Sequence, residues 1–284
     1  SSRPTYTETE NELTVKANKR TFIFSKKDGQ LKGVSVDNRK ISFANGPRFI
    51  GARRADRSLD QFYNHDDEKA KEKDRTYSEF PDAAVFTKLD VKEDGGNLVV
   101  TANYKLGNLD KAQWTINPSG ELALDYTYNF SGVVDLMGIR FDYPEDQVIS
   151  KRWLGAGPYR VWQNRIHGTQ YDVWENDYND PIPGETFTYP EFKGYFGDVS
   201  WMNIQTKEGT ISLTNEAPDA YIGVYQPRDG RDRLLYTLPE SGISVLNVIP
   251  PVRNKVNSTD LCGPSSQPKW VNGPQTGRVI FRFM

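Results

Sequence analysis

One cysteine, two histidines and three methionines are all the sulfur and imidazole this 284-residue chain carries. A lone Cys262 excludes an internal disulfide framework and any zinc module built on several cysteines; its ordinary role is that of a small buried hydrophobe. No run approaches the roughly 18 apolar residues that a membrane helix needs, and no apolar segment follows the start. Charge of one sign is lacking as well. With 36 Lys+Arg against 38 Asp+Glu the net charge is -2, which argues against nucleic acid or an anionic membrane as a partner. No Gly-rich phosphate loop, H-E-x-x-H or G-x-S-x-G is present, and nothing asks for a cofactor or a metal. Helical periodicity is also scarce. No stripe at that spacing exceeds about ten residues, which argues against alternating βαβ architecture and against a (β/α)8 barrel.

What the chain has is alternation. From Glu121 to Phe130, Leu122, Leu124, Tyr126, Tyr128 and Phe130 share one face, while Glu121, Ala123, Asp125, Thr127 and Asn129 share the other. Period two sends successive side chains to opposite sides of a strand, so this is a half-buried strand. The same pattern recurs at Thr21–Ser25, Leu98–Tyr104, Gln113–Asn117, Met137–Phe141, Thr210–Thr214, Tyr221–Tyr225, Ile243–Val248 and Arg278–Met284. Asp28-Gly29, Gly95-Gly96, Pro118-Ser119-Gly120, Glu208-Gly209 and Asp229-Gly230 supply turn chemistry between them. The fold class expected is all-β, a large antiparallel sandwich. At about 100–200 residues per domain the length admits two ordinary domains or one large β domain, and the alternation favours a single unit over 1–284. Asp66 to Arg75 is charged at nine of ten positions, so 59–82 reads as a charged surface loop or short helix. The Pro- and Asn-rich stretch 172–190 reads as a long loop. The chain opens on Ser1-Ser2 rather than methionine, as a processed or excised piece of a longer protein would.

The segment Arg152–Tyr195 is the densest in unusual chemistry. It holds Trp153, Trp162 and Trp174 with five tyrosines, interleaved with Arg160, Arg165, His167, Asp172, Glu175, Glu191 and Lys193. Aromatic faces stack on the C–H faces of sugars while charged groups bind hydroxyls, so the mixture suits a saccharide cleft. It equally suits a sandwich core whose loops are tied down by charges.

The residues also carry a resemblance. Gly138-Ile139-Arg140-Phe141, then Pro144, then Trp153-Leu154-Gly155-Ala156-Gly157-Pro158 and Asn164-Arg165 resemble the G-x-R and W-x-G-x-G-P-x-E-x-Y-x-D-R pattern of the "small chain" domain of glycoside hydrolase family 2 β-galactosidases. Phe22–Ser25, Asp28-Gly29-Gln30-Leu31 and Gly46-Pro47 upstream, and Tyr189-Pro190-Glu191 through Asp198-Val199-Ser200-Trp201 downstream, are similar to its other segments. The resemblance implies a galactose-mutarotase-like supersandwich that contributes a wall of the sugar pocket, beside a separate (β/α)8 barrel carrying the catalytic glutamates. It implies a carbohydrate partner of galactoside type and the missing barrel as a second partner, and no catalysis by this chain alone. Trp162, Arg165, Trp174, Glu191, Lys193 and Trp201, clustered in the matched segment, are the residues expected to face or support the sugar groove. The family's late tryptophan motif is not matched; Trp270 lies nearby in order, in a different context.

Two alternatives accompany this reading. A stand-alone aldose epimerase would need a histidine and a carboxylate as acid and base, for which His65, His167 and Glu175 are the candidates, Glu191 being another possible carboxylate. A pure docking module would use the same face against the barrel with no sugar contact. Asn215-Glu216 mimics an acid/base signature without the barrel around it and reads as a strand end. Glu175, Asp177, Asn179 and Asp180 carry calcium-type oxygens, but the glycine of an EF-hand loop is missing and a polar turn is the plainer reading. The compartment is left open, periplasmic or extracellular ahead of cytoplasmic.

Overall fold

A computed structural model describes residues 2–54, 76–178, 182, 193–217, 219–225, 238–252 and 263–284. Twenty-one strands form among them. The first seven are β1 (Thr5–Glu8), β2 (Glu12–Ala17), β3 (Arg20–Ser25), β4 (Leu31–Val36), β5 (Arg39–Ile41), β6 (Ala44–Arg54) and β7 (Tyr77–Glu79). Then come β8 (Val85–Asp94), β9 (Asn97–Lys105), β10 (Leu109–Ile116), β11 (Leu122–Asn129), β12 (Gly132–Val134), β13 (Leu136–Asp142) and β14 (Val148–Gly157). The last are β15 (Gln170–Asp177), β16 (Trp201–Thr206), β17 (Gly209–Asn215), β18 (Tyr221–Val224), β19 (Ile243–Val248), β20 (Lys269–Val271) and β21 (Pro274–Phe283). Helix among the described residues is confined to short 3-10 turns such as Glu145–Gln147 and Pro264–Ser266, and none is long and apolar enough to cross a membrane.

The strands make two large antiparallel sheets. One has ten strands along the path β1-β2-β3-β4-β6-β13-β19-β18, with β5 on β4 and β7 on β6; the other runs β15-β14-β16-β17-β21-β11-β10-β9-β8; β12 and β20 form a small ribbon. The expected all-β sandwich is what forms. On β11 the predicted apolar face, Leu122, Leu124, Tyr126 and Tyr128, is buried, and on β21 Val279, Phe281 and Phe283 follow the same parity. These inward faces meet in one core between the sheets. Phe43 stacks on Phe141 at 4.7 Å and reaches Phe281 and Phe283 of the opposite sheet at 5.1 and 5.4 Å, while Trp114 lies 6.0 Å from Phe141. Fully burying each such ring contributes about 1.5–3 kcal/mol, which makes this layer the main source of cohesion between the sheets.

Two expectations need correcting. The stretch 172–190 is not a loop at its start: β15 occupies Gln170–Asp177, pairing with β14 from Ser150↔Asp177 to Gly157↔Gln170. Its residues lack a clean alternation because an edge strand is exposed along nearly its whole length. Within 59–82, Tyr77–Glu79 form β7 on the edge of β6, and the charged part of that stretch lies outside the described residues.

Candidate functional site

The site is built by the hairpin that joins β14 to β15. At the end of β14, a Cβ on Gly157 would lie 2.4 Å from the Trp174 ring, so only glycine lets that indole lie across the strand. Beyond Pro158 the chain folds onto the outward face of the ten-stranded sheet. Val161 and Tyr195 exchange two backbone hydrogen bonds of 2.7 Å, and Trp162 and Arg165 close a tight turn with bonds of 3.2 and 2.9 Å.

Parity drops Trp162 inward. It packs edge-on against Tyr195 at 5.7 Å in a second apolar cluster with Ile50, Ala52, Tyr77, Leu136, Val161, Leu238, Leu246, Ile249 and Val252. This cluster covers the β6–β13–β19 face that a simple sandwich would leave to solvent. Burial pushes the Tyr195 hydroxyl well above the ordinary tyrosine range.

Polar groups then tie the turn to two later segments. Gln163 donates its backbone N–H to Pro250 (3.0 Å) and its amide to the carbonyls of Ser265 and Gln267 (2.8 and 2.7 Å). Asn164 both donates to and accepts from the Val252 backbone, at 3.0 and 2.8 Å. Across the same end of the molecule Asp135 accepts from Arg54 N–H at 2.8 Å, and the Arg54 guanidinium sits 5.7 Å from the Tyr77 ring. The result is a rim where the end of β6, Asp135 and the segments after β14 and β19 meet. It carries Arg160 over Phe196 (5.8 Å), Arg165 over Tyr159 (6.0 Å), and Tyr159 donating to the His167 carbonyl at 2.6 Å. Beside it, on β20, stands Trp270 with 73% of its surface exposed.

Among the described residues, those singled out in the sequence are not gathered into one groove. Trp162 has no exposed surface and supports the rim from below, and Lys193 is buried to 7% exposure under the same turn. Arg165 is on the rim and half-buried. Trp174 pairs in register with Trp153 and faces the inner side of the nine-stranded sheet, its Nε1 donating to the Gln170 carbonyl at 3.2 Å. Trp201 pairs with Leu154 and faces the outer side. Glu191 and His65 lie outside the described residues. His167 is exposed beside Tyr159, past the Gly157↔Gln170 end of the hairpin, whereas Glu175 pairs with Arg152 about 17 Å further along β15. Glu216 directly follows β17 and is held by Arg278 Nε at 3.0 Å, as a strand-end ion pair. Asn179 and Asp180 of the calcium-type segment, and Cys262, lie outside the described residues; among the described residues no group of three or more His, Cys, Asp or Glu is gathered as for a metal. The sequence assigns Trp270 no role, because it stands outside the family's late tryptophan motif, among Pro268, Lys269 and Asn272 with no alternation around it.

Comparison with known proteins follows the same lines. A family profile described as "Beta galactosidase small chain" matches residues 16–254. No curated protein matches the chain. Among solved structures, the galactose 1-epimerase from Lactobacillus acidophilus NCFM superposes with a TM-score of 0.52 at 11% identity, covering 100% of this chain and 99% of that one. A GalM/aldose epimerase homologue from C. elegans gives a TM-score of 0.43 at 8% identity, with 99% of each chain covered. The first of these shows a shared fold, a galactose-mutarotase-like sandwich.

Proposed function

Because the chain belongs to the β-galactosidase small-chain family, we propose that it is the carbohydrate-contacting and scaffolding domain of a family 2 glycoside hydrolase. In this reading it forms one wall of a galactoside pocket whose catalytic carboxylates sit on a (β/α)8 barrel outside this chain. The observation that carries the proposal is the rim. A turn clamped by Gln163 and Asn164 onto two distant segments, above a dedicated apolar cluster, presents Arg165 and His167 with the exposed indole of Trp270 at its side. Guanidinium, imidazole and amide groups bind hydroxyls, and an open indole stacks on a C–H face. Hydrolysis needs something else, two carboxylates flanking the scissile bond.

Calorimetric titration with galactose and lactose tests this. Millimolar binding by the chain, weakened about ten-fold by Trp270→Ala with no change in thermal stability, is the expected result. No heat from either sugar leaves only the docking role and overturns sugar contact.

A second reading, an aldose epimerase, draws on the names of the structural neighbours. Acid and base must both reach one sugar ring, and His167 and Glu175 stand at opposite ends of β15. Mutarotation of α-galactose followed by polarimetry separates the two: a rate above buffer that needs His65 or His167 would establish the epimerase.

A further inference from the structure

The outward face of the nine-stranded sheet carries a pattern that neither the core nor the rim uses. Register partners line up across six strands: Val173 on β15, Leu154 on β14, Trp201 on β16, Thr214 on β17, Ile280 on β21 and Ala123 on β11. Their strand neighbours Trp153, Met202, Leu213, Val279 and Leu124 all lie in the core, so alternation sends this row outward. At a strand spacing of about 4.8 Å the four steps from Val173 to Ile280 cover roughly 19 Å, the length of several sugar rings laid end to end, while Ala123 beyond them is buried. Tyr171, 59% exposed, flanks the open end with its hydroxyl 2.5 Å from Ser200 Oγ.

Polar rows border the apolar one. On one side Ser212 donates to Asn203 Oδ1 at 2.7 Å, and Arg282 pairs with Glu121 while donating to Thr214 Oγ1 at 3.3 Å. On the other, Arg278 pairs with Asp125 at 2.5 Å and with Glu216 at 3.0 Å. The Arg282 link draws the Glu121 carboxyl below its ordinary range. Two arginines thus meet three carboxylates, and these borders offer hydrogen-bonding groups with a small acidic excess.

We propose that this face is a second carbohydrate site, separate from the rim, that takes a neutral linear polysaccharide lying across the strands. Ring faces rest on Trp201, Leu154 and Val173, and hydroxyls meet the hydroxyl, amide and carboxylate groups of the two borders. A small acidic excess disfavours a polyanion and leaves an uncharged chain, and a row several rings long favours a polymer over a monosaccharide.

Affinity electrophoresis of the full chain through gels containing galactan, xylan or mannan tests it, with polygalacturonate as the charged counterpart. The wild-type chain is expected to be retarded about two-fold in at least one neutral gel, with Trp201→Ala and Tyr171→Ala both migrating as in a blank gel. Tyr6→Ala, which removes an exposed aromatic from the other sheet, is expected to be retarded like wild type. Thermal melts identify any variant that has unfolded, and the exposed Tyr171 keeps the test valid if Trp201→Ala does not fold. Wild-type mobility unchanged in every neutral gel, retention confined to polygalacturonate, or full retention by folded Tyr171→Ala overturns the proposal. So does a concentration-dependent dimer abolished by Tyr171→Ala without any retardation, which assigns the face to a second copy. Galactose titration reads the rim separately, so failure of one site is distinguishable from failure of the other.

Discussion

Glu208 offers a sharp test of how the two sheets are joined. It sits in the two-residue turn between β16 and β17 and reaches across to the other sheet. There Ser42 donates its backbone N–H to Oε2 at 2.9 Å and its hydroxyl to Oε1 at 2.6 Å, while the Tyr143 hydroxyl donates to Oε2 at 2.8 Å. Burial pushes the carboxyl pKa up, but the two Ser42 bonds, the Tyr143 bond and the field of Lys40 outweigh it and hold the group below its ordinary 4.5. A depressed carboxylate pKa means stability that is present above the unfolded value and lost as the pH falls through the folded one. Glu208→Gln keeps the shape but sets an NH2 group against one of three donors. Hydrogen bonds to a charged acceptor are worth about 1.5–3 kcal/mol when buried, and solvent access at this turn trims the total. The expected loss is about 1–2 kcal/mol, or roughly 2–6 °C in melting temperature for a chain of this size. Differential scanning calorimetry of both proteins from pH 7 downward should show that gap in full at neutral pH. It should close below about 4.5, where protonated Glu208 resembles glutamine. A gap that stays constant into acid, or no gap at pH 7, would refute the bolt between the sheets.

Gly138→Ala should be far more damaging than its small volume suggests. A Cβ there would lie 2.1 Å from the Val245 carbonyl oxygen and 2.7 Å from Leu246 Cα, both backbone atoms of β19, so the strands must part; we expect a loss of about 3 kcal/mol or more, read from the urea midpoint. Trp162→Ala empties the centre of the second cluster and should cost about 3–5 kcal/mol. Amide exchange should accelerate most at Val161, Tyr195 and Val252; uniform acceleration through β11 and β21 instead would mean that the rim has no cohesion of its own.

Strands that are wet on one face were readable from period two, which is why β9, β10, β11, β17 and β21 were expected where they stand. β6 and β14 were not. Ile50 and Ala52 of β6 are buried in the second cluster while Phe49 is buried in the first, so β6 has no polar face, and β14 sets Lys151 on the same buried face as Trp153, which breaks the apolar/polar alternation. β15 failed for the opposite reason, being exposed on nearly every residue at a sheet edge. The family pattern falls on the β14–β15 hairpin, whose residues around Gly157 and Asn164 build the rim. It did not reveal that Trp162 and Trp201 serve different surfaces.

That difference follows from how each property is encoded. Side-chain parity, turn chemistry and charge balance are local, carried by residues within a few positions of one another, and they suffice to specify an all-β sandwich with a near-neutral surface. Which outward face stays open is not local. It depends on register, which sets Trp174 opposite Trp153 and Trp201 opposite Leu154, and on hydrogen bonds such as Gln163 to Ser265 between residues 102 positions apart. Only the closed tertiary structure brings such partners together, because no short segment can stabilise half of a contact whose other half lies across the chain.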